Sequence, residues 1–132
     1  MPKLIEYRDM EPRARAVVER IAAARGIAPE SINNVWKALA RTPAVMEQFA
    51  DEMRAAFAPG KLDPLTKELL YLAVSVANQC DYCIASHGTM ARRKGMDEAM
   101  FQEVMAVVLA AQKGNKIAMA YRVPVDEAFE EN

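Results

Sequence analysis

Both cysteines and the only histidine of this 132-residue chain lie within one short stretch, "NQCDYCIASHG", as Cys80, Cys83 and His87. A thiol acts as a nucleophile or metal ligand only as the thiolate. A C-x-x-C pair opening a helix lowers the thiol pKa from about 8.5 into a range of about 3.5 to 7.5. On a helix these residues fall at i, i+3 and i+7, which share one face. Cys80 then sits at or just before the first turn, where unpaired N–H groups and the macrodipole favour negative charge. The spacing brings the two sulfurs within reach of a disulfide after modest backbone adjustment. His87, one turn past Cys83, can take or give a proton near neutral pH.

Three chemistries compete for such a set. Structural zinc wants four ligands, and a second C-x-x-C or a paired histidine is absent, though Glu68 could be a fourth ligand. A c-type haem needs histidine directly after the second cysteine, where Ile84 stands. Thiol redox chemistry needs only two cysteines, a base and a proton route, and these residues supply them. A pair of buried cysteines beside a hydrogen-bonded histidine is the inert alternative. The clustering of all three residues on one helical face argues against it.

The elements that must hold these residues read as helices. Ala, Leu, Met, Glu, Lys and Arg abound, and strand-like alternation is rare. Gly26, Pro29, Pro43, Pro59, Gly60, Pro64, Gly88, Gly95 and Pro124 punctuate the chain. A first helix over residues 11–26 carries Val17, Val18, Ile21 and Ala24 on one face and ends at Gly26. A second covers 29–42 with Ile32, Val35, Trp36 and Leu39, and a third covers 43–60 with Val45, Met46, Phe49, Met53 and Phe57. The fourth opens with Asp63 as N-cap and Pro64 in the first turn, and its broad stripe of Leu65, Leu69, Leu72, Ala73 and Val76 makes it central. A fifth helix runs from Asp81 to Gly95, a sixth begins after Asp97, and a short seventh, "NKIAMAYR", ends before Pro124. The expectation is one all-α domain over 1–132, a bundle of six or seven helices.

Charge narrows the partners. With 17 basic and 18 acidic side chains the net is −1, which gives no footprint for nucleic acid or for an anionic membrane. The longest apolar run, residues 104–111, is far short of a membrane span, and the first residues lack a secretory core. A soluble, cytoplasmic protein is expected, and two cysteines in a reducing compartment are more often catalytic, redox-sensing or metal-binding than structural. Met90, Met96, Met100, Met105 and Met119 read as core or subunit interface. "ARRKG" reads as a basic helix end facing solvent.

Eleven residues separate Glu68 from Cys80, so the chain carries E-x₁₁-C-x-x-C-x₃-H in Glu68, Cys80, Cys83 and His87. This pattern, within "LTKELLYLAVSVANQCDYCIASHG", resembles the alkylhydroperoxidase D family of the carboxymuconolactone decarboxylase superfamily, with the core of the resemblance over about 35–95. The resemblance implies an all-α fold with the glutamate helix beside the cysteine helix, and a homo-oligomer, trimer or hexamer. It implies thiol-dependent reduction of hydrogen peroxide or organic hydroperoxides without metal or organic cofactor. Cys83 would attack the peroxide, Cys80 would resolve the sulfenic acid to a Cys80–Cys83 disulfide, and Glu68 with His87 would relay protons. The reductant would be a thiol donor, such as a lipoylated or thioredoxin-like protein. Tyr82 departs from the pattern, since peroxidase-type members often carry a second histidine there, and it could serve only as an auxiliary hydrogen-bond donor. Helix position alone favours Cys80 as the more acidic thiol, whereas the resemblance assigns the attack to Cys83. A disulfide reductase, a non-enzymatic redox sensor and a zinc-binding helical protein are the alternative readings.

Overall fold

The computed structural model describes residues 3–130. Among these residues there are six α-helices, three short 3₁₀ turns and no strand. The helices are α1 (Pro12–Arg25), α2 (Asn34–Leu39), α3 (Pro43–Ala56), α4 (Pro64–Ala77), α5 (Asp81–Arg93) and α6 (Glu98–Ala120). The all-α expectation holds, and the count is six because the two helices expected after Asp97 are one. Gly114 does not end α6. An interior glycine costs a helix about 1 kcal/mol relative to alanine, which lowers stability without forcing a break. The second expected helix divides instead. Pro29–Ser31 forms a 3₁₀ turn, and Ile32 and Asn33 are extended before α2 begins. Ile32 is buried in the core, and the Asn33 amide oxygen accepts from Arg25 Nη1 at 2.7 Å rather than capping the helix.

The chain forms two compact units, one ending at Ala58 and one starting at Pro59. In the first, α1 packs on α3 and α2 on α3. Its core gathers Val17, Val18, Ile32, Trp36, Met46 and Ala50, with the Trp36 and Phe49 rings 5.5 Å apart. The buried face of α1 is Ala14, Val17, Val18 and Ala22, with Ile21 half-buried; Ala24, expected on that face, is exposed. The buried stripe runs through Ala14, one turn before Val17, and Ala22, one turn after Val18.

The second unit is a hairpin of α4 and α5 with α6 packed on α4. Asp63 caps α4 as expected, its carboxylate accepting from the Thr66 amide at 3.0 Å and the Thr66 hydroxyl at 2.5 Å. Asp97 caps α6 through the Met100 amide at 2.8 Å. Leu72, Ala91 and Met96 form the core, and Leu65, Leu69, Val76, Ile84, Met100 and Phe101 pack around it. Of the other methionines singled out, Met105 is half-buried and Met90 and Met119 are exposed.

Helix ends in this unit follow one geometry. After α4, Gln79 adopts the left-handed conformation with φ of 57°. The Cys80 amide donates to the Ser75 carbonyl at 3.0 Å and the Gln79 amide to Val76 at 3.1 Å. Gly95, with φ of 111°, does the same for α5, with the Met96 amide donating to Ala91 at 2.9 Å and the Gly95 amide to Arg92 at 3.1 Å. This is the Schellman closure, which satisfies carbonyls the helix leaves open. At the first of these turns the chain passes from α4 to α5 through Asn78, Gln79 and Cys80 alone, which makes the helices antiparallel neighbours.

Leu72→Ala should destabilise the protein by about 2–5 kcal/mol in urea unfolding, because Leu72 is wholly buried where the two hairpin helices meet. Hydrogen bonds from the Thr66 hydroxyl, then from the Thr66 amide, hold Asp63 below the usual aspartate range. Its stabilising contribution is therefore present above the unfolded-state value and disappears as pH falls through the depressed folded-state value. Asp63→Ala should lower the thermal midpoint at neutral pH and flatten its decline on acidification, as measured by circular dichroism.

Candidate active site

Glu68, in the second turn of α4, starts a buried stripe that continues through Leu72 and Ser75 at i+4 and i+7. It is 2% exposed. A carboxylate so placed needs partners, since transfer of a charge from water is costly unless it is paired and hydrogen-bonded. Both of its oxygens are engaged. Oε2 lies 2.7 Å from His87 Nδ1, and Oε1 accepts from Lys94 Nζ at 2.6 Å. Both donors come from the neighbouring helix or its cap: His87 stands in the middle of α5 and Lys94 is its C-cap residue.

The other hairpin residue that fixes the imidazole is Tyr71, one turn beyond Glu68. Its ring stacks on that of His87 with centroids 3.5 Å apart and planes 21° from parallel. Glu68 and Tyr71 thus hold the histidine through an edge and a face. Donation from Nδ1–H to Glu68 selects the tautomer in which Nε2 is the acceptor nitrogen.

Cys80 occupies the N-cap of α5, and its sulfur accepts from the Cys83 amide at 3.2 Å. The two cysteines form a disulfide, with α-carbons 5.3 Å apart. Cys80 is therefore held from both sides: its amide closes α4 and its side chain opens α5. Cys83 precedes His87 by one turn, a spacing that leaves roughly 5–6 Å between β-carbons on a helix. Four sequence-singled residues, Glu68, Cys80, Cys83 and His87, are thus brought to the two facing helices of one hairpin. Tyr82 is on α5 beside Cys83 but 42% exposed. Among the described residues no group of three or more His, Cys, Asp or Glu side chains could hold a metal ion.

Lys94 and Tyr71 are the residues that sequence reasoning missed. The basic stretch "ARRKG" was expected to face solvent, and Arg92 and Arg93 do so, but the Lys94 ammonium turns back to Glu68. A signal was available. Lys94 lies seven residues after His87, as His87 lies seven after Cys80, so all three share one seam of α5. Tyr71 was equally placed at i+3 from Glu68.

Comparison with known proteins gives this geometry a context. The model of the carboxymuconolactone decarboxylase family matches residues 43–126. The crystal structure of the alkylhydroperoxidase AhpD core from Rhodospirillum rubrum superposes with a TM-score of 0.83 at 42% identity, covering 92% of this chain and 88% of that one. An uncharacterized protein of Cupriavidus necator is 35% identical over 77 residues, 58% of this chain and 68% of that protein. The alkyl hydroperoxide reductase AhpD of Rhodococcus erythropolis is 32% identical over 104 residues. That match covers 70% of this chain but only 56% of the longer relative. Among the described residues no helix is long and apolar enough to cross a membrane.

Glu68→Gln preserves shape but presents an amide N–H₂ to one of two donors. It should cost about 1–3 kcal/mol of unfolding free energy in urea. A variant as stable as the parent would mean the carboxylate is not the group that holds the hairpin's polar seam together.

Proposed function

The chain belongs to the carboxymuconolactone decarboxylase family, in its alkylhydroperoxidase D-like branch, and from this we propose that it is a thiol-dependent peroxidase acting on hydrogen peroxide or organic hydroperoxides. The observation that carries the reading is a vicinal Cys80–Cys83 pair opening the helix whose next turn bears a histidine oriented by a buried glutamate. Relatives named alkylhydroperoxidase AhpD and alkyl hydroperoxide reductase AhpD support it.

In this mechanism His87 accepts the Cys83 proton, and Glu68 steadies the imidazole as it takes up positive charge. The Cys83 thiolate attacks one peroxide oxygen; the S–O bond forms, the O–O bond breaks, and His87 returns the proton to the departing alkoxide or hydroxide. Cys83 is left as a sulfenic acid. The Cys80 thiolate, favoured by the N-terminal end of α5, then attacks the Cys83 sulfur. The disulfide forms, hydroxide leaves, and a proton completes water. A dithiol donor, lipoylated or thioredoxin-like, restores both thiols by exchange, supplying two electrons and two protons and leaving as its own disulfide. Tyr82 would serve as an auxiliary hydrogen-bond donor to the incoming peroxide. The working form is a homo-oligomer, trimer or hexamer. The support for this is the apolar surface that α6 and the following residues leave exposed, including Val107, Leu109, Met119 and Tyr121.

The test is steady-state peroxide consumption with dihydrolipoamide, thioredoxin or glutathione as donor. Turnover should occur with at least one donor and fall by 10³-fold or more, on the order expected for loss of a nucleophile, in Cys83→Ser. Cys80→Ser should leave a sulfenic acid on Cys83 that dimedone traps. Trapping only on Cys80 in the Cys83→Ser protein would reverse the two roles. Consumption of a single equivalent of peroxide with no turnover under any donor would replace the enzyme with a redox sensor.

A further inference from the structure

Lys94 has no part in the proton transfers above, yet it makes the shortest contact to the buried carboxylate at their centre. A carboxylate 2% exposed requires a countercharge. Two groups touch it that could provide one, the ammonium of Lys94 on Oε1 and an imidazolium at His87 on Oε2. The choice between them matters. An imidazolium in that position already holds the proton that the thiol must give up, and it cannot serve as the base. An ammonium satisfies the carboxylate and leaves the imidazole neutral.

We propose that Lys94 is a positioning residue: as the counterion of Glu68 it keeps His87 uncharged, with Nδ1–H donating to Glu68 and Nε2 oriented as the acceptor. The geometry suits the division. The Lys94 side chain is 30% exposed, so its ammonium keeps part of its hydration, whereas the His87 side chain is 16% exposed and stacked on Tyr71. The left-handed turn at Gly95 ends α5 immediately after Lys94, and the lysine, seven residues along from His87, lies on the same seam. Other titratable groups of the packed elements do not offer the same service. On α4, Lys67 is half-buried and adjacent in sequence to Glu68, and Tyr71 meets the imidazole through its ring face. Asp81, Arg92 and Arg93 of α5 are exposed, as are Glu98, Glu103, Lys113 and Lys116 of α6. Cys80 and Cys83 are joined in the disulfide and carry no charge in that state.

This deepens the peroxidase reading and rests on it for the use to which the neutral imidazole is put. The charge assignment itself can be read without any turnover. His87 is the only histidine in the chain, so its ring C–H signals in proton NMR report one imidazole. The titration is run on the reduced protein, as wild type, Lys94→Met and Lys94→Arg, with Lys94→Gln as a second neutral variant if the methionine form does not fold. Removing the positive charge favours proton uptake at the pair of Glu68 and His87. The imidazole titration should therefore move to higher pH by roughly one unit in the neutral variant, as for loss of a nearby charge. The acid limb of the peroxide rate should move with it, about a tenfold lower rate at a given acidic pH. Lys94→Arg should stay near wild type in both. A neutral, folded variant with an unmoved imidazole titration would overturn the assignment, as would an arginine variant that shifts as far as the neutral one. If wild type shows no thiol-dependent turnover but the titration still moves, the counterion role stands and the peroxidase reading falls.

Discussion

A single buried carboxylate organises the second unit of this protein. Glu68 could not remain at 2% exposure without two donors, and both come from one neighbouring helix. The hydrogen bonds from His87 and Lys94 tie the second turn of α4 to the middle and the end of α5. At the other end of the hairpin Cys80 closes α4 with its amide and caps α5 with its sulfur. Between those fixings Leu72 fills the apolar contact, with its Cδ1 3.9 Å from where a β-carbon on Gly88 would lie. That distance is ordinary van der Waals contact, and the polar seam and the apolar packing enforce the same register.

The turn between the helices gives that register its precision. Gln79 takes a left-handed conformation that costs a non-glycine residue roughly 1 kcal/mol. It allows Cys80 to be at once the residue that closes α4 and the cap that opens α5. No linker intervenes in which the cysteine could wander relative to Glu68. Redox chemistry at a vicinal pair benefits from such a placement, because the positive end of α5 is oriented at the sulfur by the same turn that brings the glutamate helix alongside. A chain 42% identical to the AhpD core over nearly its whole length shares its fold, and the hairpin lies within the family match over residues 43–126.

Much of this was legible beforehand because it depends on local rules. Asp63, Asp97 and Gly26 marked helix ends through capping and left-handed conformations that neighbours in sequence dictate. The stripe of α4 and the shared face of Cys80, Cys83 and His87 followed from helical periodicity. Errors arose where a local signal competed with something distant. The separate seventh helix expected from Asn115 does not form, because Gly114 only weakens a helix without ending it. The helix expected from Pro29 onward divided because burial of Ile32 in the core and the Arg25–Asn33 hydrogen bond outweighed helical propensity.

The sequence by itself determined the helices, their main caps and the identity of the thiol, imidazole and carboxylate that could act together. It determined these because periodicity, capping and motif spacing are properties of residues near one another along the chain. Only the tertiary structure decided that Lys94 meets Glu68 and that Tyr71 stacks on His87. Those contacts join residues 26 and 16 positions apart across an antiparallel hairpin. Which side chains meet there depends on the rotation and register of two packed helices, set by the packing of Leu72 and the Gln79 turn together. A lysine at a helix end ordinarily faces water, and it takes a buried, otherwise uncompensated carboxylate across the seam to draw it back.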